Sequence, residues 1–230
     1  MSETASHKNR PDATYINGAE TRARIINAAI ELFGERGYQA ASTREIARRA
    51  NVNAPLLNYY FDSKEGLYRA CAGRIAEEIH EFFGAMLTQT HHLLETDAGF
   101  EPLMRQVELF TSLSLEFFLS NRREARRRLF LLQDEAGNGP DGKQDARLKA
   151  YRAEYWALQL ALVSRLTGSA PSDPDTIIRA LTMVGQVAGC HKLPESDLLK
   201  DETKAAENRK RICQIVIENI RVLVHSWRKA

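Results

Sequence analysis

Thr43 to Tyr68 reads TREIARRANVNAPLLNYYFDSKEGLY, a pattern that two short helices, a tight bend and the start of a third helix explain. Ser42 or Thr43 is suited to cap the first helix, with Glu45 in its first turn, and Ile46, Ala47 and Ala50 then share one face at helical spacing. Asn51 falls where the chain must bend. Asn enters the left-handed backbone region more readily than most residues with a side chain, so the bend needs no glycine. Asn53 is suited to cap the second helix, and Pro55 near its start carries the φ that a first helical turn accepts. In that helix Leu57, Tyr60 and Phe61 form an apolar stripe, which leaves Ala54, Leu56, Asn58 and Tyr59 for another surface. Asp62 or Ser63 then caps a third helix opening with Lys64 and Glu65. Two short helices across a tight turn are the layout of a helix-turn-helix, whose second helix enters the major groove of DNA.

Upstream, Ile25, Ile26, Ala29, Ile30 and Phe33 line one face of a helix that Gly34 and Gly37 are expected to end. The helix Arg22 to Phe33, the following GERGY, then TREIARRANVN and NYYFDSKEGLY together resemble the DNA-binding domain of the TetR family of bacterial one-component regulators, roughly from Ala23 to Ala72. The likeness is specific because it joins a first helix, a glycine stop at Gly37, an IAxxA core, a YF ending and an SKExLY start. Three positions depart from the family pattern: Asn51 and Pro55 stand where it usually has glycine or a small residue, and Asn58 where it usually has tyrosine. These departures bear on base contacts more than on the fold. Within the family, the recognition helix is similar to the CecR-type branch.

A chain of 230 residues with 43% hydrophobic content is long enough for a small domain and a larger one. The net charge is only +2 and the mean hydropathy −0.40, so attraction to DNA has to come from local placement of Arg and Lys. No run of about eighteen apolar residues occurs, so a membrane span is not expected, and the opening MSETASHKNRPDATYING is polar rather than signal-like. The expected location is the cytoplasm. Cys71, Cys190 and Cys213 are odd in number, scattered and each set in a helical pattern, so they read as small buried hydrophobes.

The expected fold is all-α, with residues 1–17 a mobile polar arm, 18–68 a three-helix helix-turn-helix domain, and 69–230 a helical domain for effector binding and dimerisation. A long helix runs from Lys64 toward His92 with Leu67, Cys71, Ile75, Ile79, Phe82 and Phe83 as its buried row. Further helices are expected over Leu103 to Leu119, Arg122 to Glu135, Asp145 to Leu166, Thr176 to His191 and Thr203 to Trp227, separated by turn-rich segments such as GNGPDGK, TGSAPSDPD and KLPESD.

The candidate DNA surface comprises Thr43, Arg44, Asn53, Ala54, Leu56, Asn58, Tyr59 and Lys64. Asn58 is suited to an adenine edge, and Leu56 or Ala54 to a thymine methyl. Thr43, Tyr59, Tyr60 and Lys64 offer donors to phosphate, as do Arg22, Arg24, Arg44, Arg48, Arg49 and Arg69 at helix ends and outer faces; the plain alternative is a solvated surface or, for Tyr60, core. NRREARRR, Asn121 to Arg128, sends its arginines in several directions and reads as a solvated face or an interdomain contact.

In the second domain Phe110, Phe117, Tyr155, Trp156, Met183 and Gln186 are candidates for an effector pocket, with Arg105 or His191 to fix a polar ligand, although aromatics at helical spacing also make ordinary core. Leu181, Gly185 and Gly189 form a small-residue face, and Ile212, Val216, Ile220, Leu223 and Trp227 an apolar row; together they are the expected dimer interface. His91 with His92 and Cys190 with His191 are adjacent, so neither pair converges on a metal, and no catalytic or cofactor motif occurs. The family resemblance implies a homodimeric regulator, expected to be a repressor that a small molecule releases from its DNA operator. The competing expectation is an interaction module of the same fold that has lost DNA binding.

Overall fold

The computed structural model describes residues 13–96, 98–119, 130–190, 193 and 196–228, and among these every regular element is a helix. The expectations for residues 1–12, for NRREARRR and for His191 lie outside them. In chain order the helices are α1 (Ala13–Ala40), α2 (Thr43–Arg49), α3 (Ala54–Phe61), α4 (Lys64–Glu95), α5 (Phe100–Leu119), α6 (130–135), α7 (Ala146–Thr167), α8 (Pro174–Gly189), α9 (Asp197–Lys200) and α10 (Glu202–Arg228).

Helix α1 begins at Ala13, so 13–17 are helical where the sequence suggested an arm. A polar first turn needs no apolar periodicity once the buried row downstream has nucleated the helix. The helix also runs through Gly34 and breaks only at Gly37, whose φ of 73° lies in the left-handed region. Ile25, Ala29 and Phe33 of α1 are fully buried against Ile46 of α2, Leu57 of α3 and Leu67 and Cys71 of α4. Closing off a side chain the size of Leu57 contributes about 2 kcal/mol, so this small cluster suffices to hold two helices of about two turns each.

Helix α4 links the reading head, α1 to α3, to the rest. It packs on α1 at one end and on α5 and α7 along its length, while α10 lies across α5, α7 and α8. Phe82, expected in the buried row of α4, is instead at the surface against Phe83 and Phe117. Phe83 is buried, and Phe82, about 100° further around the helix, falls outside the buried face at this level.

One polar cluster ties the head to the body. Asp134, with 0% of its surface exposed, accepts hydrogen bonds from the Tyr68 hydroxyl (2.9 Å), the Asp145 backbone N–H (2.8 Å) and Arg152 (2.8 Å). A carboxylate out of water needs this many donors to be tolerated. Burial, then the carboxylate of Asp134, holds the Tyr68 phenol above its ordinary pKa, which keeps it a donor. The Tyr68 ring stacks on Phe130 at 4.9 Å and meets Phe33 edge-on at 5.2 Å, and the Tyr38 N–H donates to the Asn138 carbonyl (3.2 Å). The reading head is therefore packed onto α6 and the loop after it.

Candidate nucleic-acid interface

The reading surface is assembled by three caps. Ser42 Oγ accepts from the Glu45 N–H (3.1 Å) to start α2, Asn53 Oδ1 from the Leu56 N–H (2.8 Å) to start α3, and Ser63 Oγ from the Gly66 N–H (3.0 Å) to start α4. The bend between α2 and α3 is made by Asn51 at φ 54°, with the Val52 N–H returning to the Ala47 carbonyl (2.9 Å). This turn aims α3 so that Leu57 and Phe61 enter the core while Asn58 and Tyr59 point outward. Tyr59 is 80% exposed and meets Tyr60 edge-on at 5.4 Å.

Thr43, Ala54 and Leu56 are half-buried, and Arg44 and Asn58 are exposed. Asn53 is exposed as well, but its oxygen is committed to the cap, so the amide Nδ2 is what it has left to offer. Lys64 departs furthest from the expected phosphate donor. Its ammonium donates to the Gln39 carbonyl (3.2 Å) and lies over the Tyr38 ring at 4.5 Å, and burial lowers its pKa. An ammonium has three donors, so this inward anchor leaves others directed to solvent.

The arginines sort by partner. Arg49 forms a two-pronged pair with Glu35 (2.7 and 3.1 Å), Arg36 pairs with Glu45 (2.8 Å), and Arg69 pairs with Glu65. Arg48 is mostly exposed and only 3.8 Å from Glu45, and Arg44 has no carboxylate partner among the described residues. Arg44, Arg48, Asn58 and Tyr59 are thus among the side chains that this face sends into solvent. Sequence reasoning missed the anchors Glu35, Gln39 and Tyr38, whose partners lie 14 to 26 residues away and leave no periodic signal.

In the body, the residues expected at a pocket do not share one surface. Arg105 stands on the exposed side of α5, whereas Phe110 and Met183 are closed into the core. The corresponding correction is geometric: Arg105 follows the buried Met104 and lies about 140° around the helix from Phe110. Phe110 meets Tyr155 edge-on at 4.7 Å, and the Tyr155 hydroxyl lies 3.2 Å from Ser114 Oγ. Phe117 packs on Phe82 and Phe83, and Trp156 and Gln186 are half-buried. On α7 and α8, Gln159 Oε1 and Thr176 Oγ1 are buried without a hydrogen-bond partner among the described residues.

The apolar row of α10 also divides. Ile220 is 1% exposed and packs within the subunit with Val216 and Val224, so it cannot meet a partner chain. Ile212 and Leu223 are half-buried, while the outward stripe is Ile215 and Val222. On α8, Leu181 is 55% exposed beside Ile178, and Gly185 and Gly189 open onto free space. Cys71 and Cys190 are buried and burial raises both thiol pKa values, which leaves them protonated and inert.

Among the described residues there is no group of His, Cys, Asp and Glu side chains arranged to hold a metal, and no helix is long and apolar enough to cross a membrane.

Residues 25–71 match the family described as bacterial regulatory proteins, tetR family. The HTH-type transcriptional dual regulator CecR of Shigella flexneri is 48% identical over 75 residues, covering 33% of this chain and 33% of that protein. The HTH-type transcriptional regulatory protein RaaS of Mycobacterium tuberculosis is 48% identical over 65 residues, 28% of this chain and 30% of that one. The chain thus matches about a third of the length of these curated relatives. In fold it is similar to AibR, solved in complex with isovaleryl coenzyme A and operator DNA, with a TM-score of 0.63 at 16% identity over 86% of this chain and 96% of that one.

Proposed function

From a reading head that belongs to the tetR family of bacterial regulatory proteins, we propose that the chain is a homodimeric, ligand-responsive transcriptional regulator that represses by occupying operator DNA. The observation that carries this reading is the split of α3 into a buried face, Leu57 and Phe61, and an outward face bearing Asn58 and Tyr59. A helix held this way offers an amide to a base edge and a phenol to the adjacent phosphate. Thr43 and Arg44 at the start of α2, and the spare donors of Lys64 at the start of α4, supply contacts that fix register without reading sequence. Ala54 and Leu56 lie on the same helix within reach of a thymine methyl.

One such head covers few base pairs, and two-fold pairing through the exposed stripes of α8 and α10 supplies a second half-site. The effector reading is supported by Gln159 Oε1 and Thr176 Oγ1, two buried oxygens of the body without a hydrogen-bond partner among the described residues, which a ligand or an ordered water would satisfy. Such a ligand acts on the operator by shifting α4, which runs unbroken from the head into the body, and so changing the separation of the two recognition helices.

Selection of bound duplexes from a random pool tests the DNA reading. Wild type should enrich a two-fold motif, and Asn58→Ala should relax preference at one base pair of each half-site by roughly 1 to 3 kcal/mol. A chain that enriches nothing and binds no duplex at low salt would be the interaction module instead.

A further inference from the structure

At the joint between head and body, a cleft of about 710 Å³ opens between α1, α4 and α7, lined by Arg22, Arg69, Arg74, Arg147 and Glu77. Its neighbour of about 400 Å³ shares Arg69 and Arg147. Four guanidiniums against one lining carboxylate, Glu77, leave the cleft net positive in a chain whose net charge is only +2. Two of them are neutralised at the rim, Arg69 by Glu65 and Arg74 by Glu78. The other two have no carboxylate partner among the described residues. Arg22 of α1 lies over the Phe61 ring at 5.3 Å, and Arg147 of α7 lays its guanidinium against Gly73 of α4. A Cβ at Gly73 would collide with Arg147 Nη1, so the glycine is what lets that guanidinium lie there.

We propose that this cleft binds a phosphorylated small molecule, clamped between Arg22 of the head and Arg147 of the body. Guanidinium forks match phosphate oxygens, and the cleft volume falls in the range of small-molecule sites. A single fork already satisfies a planar carboxylate. A tetrahedral phosphate presents oxygens on several sides and accepts from both walls at once. Its binding ties α1 to α7 across the joint. The site is distinct from the reading surface of α3 and does not depend on what that surface binds.

Calorimetric titration of the intact protein with inorganic pyrophosphate at about 150 mM salt, where weak surface charge effects are screened, tests the assignment. Saturable binding of one pyrophosphate per chain is expected. Arg22→Ala and Arg147→Ala should each weaken it by about tenfold or more. Gly73→Ala should weaken it as well, because it displaces the flexible end of Arg147 while favouring the helix. Lys149→Ala removes the same charge from an exposed position of α7 outside the cleft and should leave binding unchanged. Absence of saturation, or equal losses in the Lys149 and Arg147 variants, would overturn the proposal. So would displacement of pyrophosphate by random duplex DNA together with a salt slope that falls by about one in Arg147→Ala, since the phosphates would then be those of the DNA backbone.

Discussion

The reading head and the body are built from the same element, yet their geometry is set over very different distances along the chain. In the head the decisive hydrogen bonds span three residues: Ser42 to Glu45, Asn53 to Leu56 and Ser63 to Gly66. In the body and at the joint they span 66 to 113 residues, from Tyr68 to Asp134, from Ser112 to Cys213 and from Glu108 to Arg221. Local bonds are satisfied as each helix forms, and each can be removed alone at modest cost. Distant bonds exist only once whole elements have docked, and removing one leaves charged or polar partners stranded.

The harshest test of this contrast is Asp134→Ala. It strands the Tyr68 hydroxyl and the Arg152 guanidinium together, and should lower the free energy of unfolding in urea by about 4 kcal/mol; a loss under about 1 kcal/mol would mean that water reaches the cluster. Gly185→Trp probes the body's outer surface. Nothing lies within 4 Å of a Cβ there, so the subunit should keep its melting temperature while sedimentation reports a monomer and operator affinity drops about a hundredfold. In the head, Asn53→Ala should cost only about 1 kcal/mol because one cap is lost, and Asn53→Asp should restore it. The smallest effect belongs to Arg49→Ala. Its pair with Glu35 is near the surface, so thermal melts should move by no more than about 0.5 kcal/mol equivalent, and less at high salt.

The same contrast explains how much was legible. Caps, the Asn51 bend and the buried stripe of α3 are short-range consequences of residue type, and the sequence reading anticipated the helix-turn-helix from them. It left Ser42 against Thr43 and Asp62 against Ser63 open, because adjacent cap formers differ only in backbone geometry, and the structure assigns Ser42 and Ser63. In α10 the i, i+4 steps were visible, but periodicity cannot say whether a stripe faces its own subunit or another, and Ile220 turned inward. In the body an aromatic at helical spacing carries no mark that separates core from pocket wall, hence the burial of Phe110 and Met183. The joint clefts were invisible for a further reason: Arg22 and Arg147 lie far apart in sequence and meet only across a docked interface.

The buried carboxylate of Asp134 has a consequence for how the molecule comes apart. Its donors arrive from α4, from the start of α7 and from the backbone that precedes it, so no single element can shield the charge alone. If the head melted first and took the opening turns of α4 with it, Tyr68 would leave and Asp134 would sit beneath a half-open surface, lacking one bond and partly hydrated. That intermediate is penalised from both sides, and head and body should therefore unfold in one cooperative transition, with the calorimetric enthalpy equal to the van't Hoff enthalpy for each subunit.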